Sequence, residues 1–182
     1  MKLNFFLSLS GGAAVLASGL LLLAGPAPAQ VFGSHNSNAP VNFDADRIEV
    51  QDRADRVVLS GGVRVEQAGL VLNAARMTVA YRNAGGIEID RIDASGGVTI
   101  RKGGDTASGN VAIYDLNRRL ITLLGDVTLT QGTNRLSGGR VIIDLTSGRS
   151  TIDGRSTGSS AVGTQGSDGR VSGTFTVPQR KD

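Results

Sequence analysis

The chain holds one histidine, His35, and no cysteine. A nucleophilic triad needs an imidazole or comparable base, so His35 is the sole candidate. It stands in the small, polar stretch QVFGSHNSNAP at 30–40 and reads as an exposed linker residue. The missing cysteines exclude disulfides, thiolate nucleophiles, iron–sulfur clusters and Cys-ligated zinc. A single histidine excludes any multi-His metal site. Paired carboxylates remain: Asp52 with Asp55, and Asp90 with Asp93, have the groups for an acid/base couple. Arg53, Arg56 and Arg91 are interleaved with them, the pattern of solvated loop charges in loose ion pairs. Asp44-x-Asp46 is too short for a calcium loop, and no Gly-x-x-x-x-Gly-Lys-Ser/Thr phosphate cradle is present. The expectation is a protein that is not an enzyme and uses neither cofactor nor metal.

Charge adds little. Lys+Arg number 19 against 16 Asp+Glu over 182 residues, a net +3 with a pI near 9.8. Arg and Asp are mixed along the chain, and aromatics are only 4% of it. A nucleic-acid surface would cluster bases on one face and interleave stacking aromatics. No nucleic-acid partner is expected.

The elements come next. Residues 1–29 read as an export signal: Lys2, an apolar run to Leu23, the breaker Gly25-Pro26, then Ala27-Pro28-Ala29. Small residues at −3 and −1 predict cleavage after Ala29, before Gln30, and a periplasmic mature chain. The run is also long enough for an uncleaved membrane anchor.

From Val41 to Gly154 apolar and polar residues alternate, as in Ile48-Glu49-Val50, Val63-Arg64-Val65, Met77-Thr78-Val79, Val98-Thr99-Ile100 and Val127-Thr128-Leu129. Period two predicts half-buried strands and almost no helix. The pattern repeats. Gly61, Gly96 and Gly125 are followed at one common offset by Leu72, Ala107 and Leu136. Each copy predicts two strands joined by a turn, with the Gly-Gly pairs as strand-entry turns. Such units cannot bury an apolar face alone, so neighbours must wrap into a sandwich, jellyroll or solenoid-like roll. Met77, Ala112 and Val141, with Val79, Tyr114 and Ile143, share the inward face; Arg76 and Thr78 point outward. Ala45, Ala74, Gly109 and Gly138 mark a recurring tight spot, as a bulge or close backbone approach would require. Residues 155–182 form a Gly/Ser-rich tail, with a weak strand pattern near 170–177. The apolar face has two readings: a packed core, or a groove that admits acyl chains.

The segments VNFDADRIEV, VVLSGGVRVEQAGLVLNAARMTV, ASGNVAIYDLNRRLITLLGDVTLTQ and GRVSGTFTVP resemble the OstA-like, or LptA, family of lipopolysaccharide export proteins over residues 41–154 and, more loosely, the tail. The resemblance implies an all-β, twisted, open β-jellyroll built from repeated strand pairs. It implies lipopolysaccharide or an equivalent glycolipid as cargo. It also implies a bridge between an LptC-like inner-membrane protein and an LptD-like outer-membrane protein, with head-to-tail homo-oligomers. The lining it implies is Ile48, Val50, Val63, Val65, Leu72, Met77, Val79, Val98, Ile100, Tyr114, Val127, Leu129, Val141 and Ile143. Its docking edges would be Val41, Phe43 and Ile48 at the first strand and Val141, Ile143 and Ile152 at the last. Two alternatives stay open: a membrane-anchored LptC-like adaptor, and a cell-surface or polysaccharide-binding β-repeat protein with a solid core.

Overall fold

A computed structural model describes Phe32, residues 35–154 and residues 170–176. The predicted export signal at 1–29, the tail at 155–169 and the chain end at 177–182 lie outside the described residues.

The alternating runs form strands, in the order β1 (Asn42–Asp44), β2 (Arg47–Gln51), β3 (Arg56–Gln67), β4 (Leu70–Asn83), β5 (Ile87–Lys102), β6 (Asp105–Asp115), β7 (Leu120–Gln131), β8 (Asn134–Asp144), β9 (Ser150–Asp153) and β10 (Ser172–Thr174). One 3-10 turn, Asp52–Ala54, joins β2 to β3. Pairing is antiparallel throughout, in a single sheet whose strands β3 to β8 follow chain order. The two margins are split. At the first, β1 covers one end of β3 and β2 the other. At the last, β10 covers one end of β8 and β9 the other.

Each long strand breaks register near its middle, between Ser60 and Val63, Asn73 and Arg76, Ser95 and Val98, Ser108 and Val111, and Leu124 and Val127, and the β4–β5 pair shifts again between Ala80 and Tyr81. This corrects the expected strand-entry turns. Gly61-Gly62, Gly96-Gly97 and Gly125-Asp126 lie inside β3, β5 and β7, as bulges. The hairpin turns come later, as at Ala68-Gly69 and Gly103-Gly104. A bulge places two residues opposite one and bends the strand. Gly96 shows why glycine is needed: its φ is +86°, and a Cβ there would stand 2.7 Å from the Ala75 Cβ. The tight spot opposite is also real. A Cβ on Gly109 would come within 3.3 Å of the Leu124 carbonyl oxygen.

The aligned bulges fold the sheet along one line into two layers. Residues 63–67, 70–74, 98–102, 105–109, 127–131 and 134–138, with β1 and β10, make the first layer. Residues 56–60, 76–83, 87–95, 111–115, 120–124 and 140–144, with β2 and β9, make the second. Inward side chains of both layers belong to one buried cluster, including Val65, Leu72 and Ile100 from the first and Met77, Ile121 and Ile143 from the second. This is the expected twisted β-jellyroll.

Candidate functional site

The interior between the layers is the site that the sequence pointed to. Of the implied lining, Val63, Val65, Leu72, Met77, Val79, Val98, Ile100, Tyr114, Val127, Leu129, Val141 and Ile143 are buried in one cluster. Cross-strand pairs such as Leu59↔Met77, Val79↔Ile92 and Ile121↔Ile143 run across successive strands. Sequence reasoning missed Leu59, Ile92, Ile121 and Leu123, all 0% exposed. For Leu59, Ile121 and Leu123 the runs, VVLS and LITLL, carry apolar residues on both faces, so period two blurs there.

Ile48 and Val50 differ from the expectation. They are 49% and 60% exposed. Ile48 pairs with Leu59 and Val50 with Val57, so both point to the inner face. They stand on β2, where the second layer ends and nothing else among the described residues covers them. Phe43 is alike: it pairs with inward Val65 and is 42% exposed. The interior is therefore unsealed at its first margin. Val41 is half-buried against the core.

The last margin corrects a second expectation. Val141 and Ile143 are not edge residues, because β9 pairs with β8 along Arg140–Ile143. Both are 0% exposed. The edge strands are β9, which carries Ile152, and β10. Residues 172–174 of the tail thus join this chain's own sheet. Between the two layers at this margin lies a cleft of about 200 Å³ lined by Leu129, Leu136, Ile152 and Phe175, with Gln131, Asn134 and Ser150 at its polar side. Phe175 is 64% exposed.

One polar cluster closes the side seam between the layers. Gln67, at the end of β3, is the buried polar residue among the described residues, 2% exposed. Its Oε1 accepts from the Tyr114 hydroxyl at 2.7 Å, joining the first layer to the second. Its Nε2 donates to the carbonyls of Ser37 and Ala39, both at 2.9 Å. His35 Nε2 donates to the same Oε1 at 3.2 Å, and its Nδ1 is buried without a hydrogen-bond partner. His35 is therefore not the exposed linker residue expected. Residues 35–39 strap the seam, and Phe32 is buried at 1% exposure. Burial lowers the His35 pKa; the Gln67 bond opposes this, and the Lys102 charge adds to it. Burial raises that of Tyr114, opposed by the Ser37 bond and the Arg119 charge, so the hydroxyl stays a proton donor.

The carboxylate pairs stay outside. Asp93 accepts from Arg91 at 2.6 Å, and Asp90 meets Arg82 and Asn117, all on the exposed surface. Asp52 accepts from the Tyr81 hydroxyl at 3.4 Å. Among the described residues no three of His, Cys, Asp and Glu gather as a metal-binding group. The arrangement offers an apolar slot with two open margins.

Residues 42–149 match the family model described as LptA/(LptD N-terminal domain) LPS transport protein. The chain belongs to that family. The matched span runs from β1 to the turn before β9, the whole folded sheet apart from its last margin. A relative is an uncharacterized protein of Rhizobium meliloti (strain 1021), 30% identical over 158 residues, covering 80% of this chain and 85% of that protein. Among solved structures, the chain resembles LptH, described as the LptA homologous periplasmic component of the conserved lipopolysaccharide transport device from Pseudomonas aeruginosa. The TM-score is 0.68 at 17% identity, over 78% of this chain and 99% of that one. At that identity the likeness speaks for the LptA fold.

Proposed function

We propose that this LptA-family protein carries lipopolysaccharide, or an equivalent glycolipid, across the periplasm, with the acyl chains held between the two layers. The observation that carries the reading is an interior of aliphatic side chains that reaches two unsealed margins, in a member of an LPS transport family. Each CH₂ removed from water contributes about 0.8 kcal/mol, so a multi-acyl lipid does not cross an aqueous space unaided. Aliphatic walls make no directional bonds to the chains, which allows them to slide. The segment 1–29 directs export and is removed by cleavage after Ala29. Work for directed movement comes from elsewhere, because nothing in the slot reacts.

The margins suit end-to-end joining. Exposed inward residues Phe43, Ile48 and Val50 offer an apolar first margin, and the Leu136–Ile152–Phe175 cleft receives one at the other end. With pairing antiparallel throughout, β1 and β2 of a following copy run opposite to β10 and β9, so the sheet continues in register polarity. Edge N–H and C=O groups then pair by strand addition. The same margins suit an LptC-like inner-membrane partner and an LptD-like outer-membrane partner carrying the same layers.

Mass spectrometry of lipid co-purified with the chain from its host envelope tests the reading. Stoichiometric glycolipid is expected. A lipid-free protein, with outer-membrane glycolipid unchanged on depletion, would overturn it and favour a solid-core surface protein.

A further inference from the structure

The N-terminal segment is not needed to build the sheet, yet it reaches the core. Phe32 is 1% exposed and belongs to the buried cluster. Every other buried member of that cluster lies in a strand, or in the turn after β8 for Leu145. Those residues cannot leave without breaking a ladder. Phe32 can. Its backbone N–H donates to the Asp105 side chain at 3.0 Å, and residues 35–39 are held through the side chains of Gln67 and Tyr114, the latter by its hydroxyl to Ser37 and His35 and by an edge-on ring contact with His35. No strand pairing ties residues 35–40 among the described residues.

The place it fills also matters. Gln67 stands beside the β3–β4 turn of the first layer, and Tyr114 stands near the β6–β7 turn of the second. Their hydrogen bond spans the side seam. Asp105 begins β6 next to the β5–β6 turn. Phe32 and residues 35–39 therefore lie at the seam, with the Phe32 ring in the buried cluster. The rest of the interior is packed by side chains fixed on strands.

We infer that the space beneath Phe32 is an acyl-chain binding site, and that Phe32 fills it in the empty protein and is displaced when a glycolipid acyl chain seats there. This rests on the carrier reading above and adds to it the point of first contact. Phe32 acts as a placeholder: it keeps the slot dry when empty, and its ring exchanges for a segment of alkyl chain of like bulk and polarity. The hydrogen bonds that release it are to side chains, so the sheet stays whole while the strap swings off.

The chain has no tryptophan, so Phe32→Trp gives a single reporter in the full-length exported protein. Purified rough-type lipopolysaccharide is the probe, with binding scored separately by co-elution. Blue, acrylamide-protected emission is expected without lipid. Saturating lipopolysaccharide is expected to shift the emission to the red and raise acrylamide quenching several-fold. Phe32→Ala is expected to bind sodium laurate more tightly than wild type, because the acyl chain no longer competes with the ring. Lipopolysaccharide that co-elutes while the tryptophan stays protected, or a Phe32→Ala protein that binds laurate no better than wild type, would overturn the placeholder and leave the carrier reading standing. Lipopolysaccharide that does not bind wild type would overturn both.

Discussion

Tyr114→Phe removes one hydroxyl and leaves the ring. That hydroxyl is the shortest link between the layers at the side seam, donating to Gln67 Oε1 at 2.7 Å. Tyr114 is 2% exposed and Gln67 2%, so water does not replace the lost donor. A buried acceptor stripped of its partner costs about 1–3 kcal/mol. His35 Nε2 still reaches the same oxygen at 3.2 Å, which places the loss in the lower half, about 1–2 kcal/mol. For a domain of this size each kcal/mol moves the midpoint by roughly 4 °C, so thermal unfolding by far-ultraviolet circular dichroism should fall by about 4–8 °C. The double variant Tyr114→Phe/Gln67→Leu should lose less than the sum of the two singles, with a coupling of about 1 kcal/mol. A midpoint for Tyr114→Phe within about 1 °C of wild type, or strict additivity in the cycle, would refute the seam bond as a buried contact between layers.

Gly96→Ala forces a side chain into φ +86° and against Ala75, so it should lose at least about 1–2 kcal/mol in chemical denaturation, whereas Gly104→Ala, in open space, should lose almost nothing. Equal losses would count against the bulge line. Ile48→Asp/Val50→Asp changes exposed residues, so the monomer should stay within about 0.5 kcal/mol of wild type while end-to-end association, followed by analytical ultracentrifugation, disappears; unchanged association would exclude this margin as a joint. Acidification tests His35. Its folded pKa lies below the ordinary 6.5, so the unfolded chain takes the proton first. Stability from the neutral ring is complete above 6.5 and declines as pH falls from there toward the folded value. His35→Gln should flatten that decline in a pH series of melting curves, and an identical slope would contradict the buried neutral ring.

Much of the fold was legible because a sheet repeats a short rule. Alternation placed Met77, Val79, Val141 and Ile143 inward and Arg76 outward, and the common Gly offset exposed the repeated unit. The same signal misplaced the glycines. Gly61-Gly62 inside a strand and Ala68-Gly69 at a hairpin carry similar local chemistry, and only the pairing partner decides between bulge and turn. Burial at the margins was equally hidden. Ile48 has the right parity for the interior, but exposure depends on whether a further strand lies beside β2, which alternation cannot encode. Val141 and Ile143 are edge residues only if β8 is last, and four residues from Ser150 to Asp153 remove them from the edge. Phe32 gave no periodic signal at all: it stands in a small polar stretch, and it is buried in a core cluster built from strands distant in sequence, with its N–H on Asp105.

The central claim is that acyl chains lie between the layers. A diazirine photo-crosslinker at Val79 or Ile143, which are 3% and 0% exposed on the inner face, compared with one at outward Arg76, measures this directly in cells. The account predicts glycolipid adducts at Val79 and Ile143 and none at Arg76. Equal labelling on both faces, or no adduct at either inward position, would contradict it.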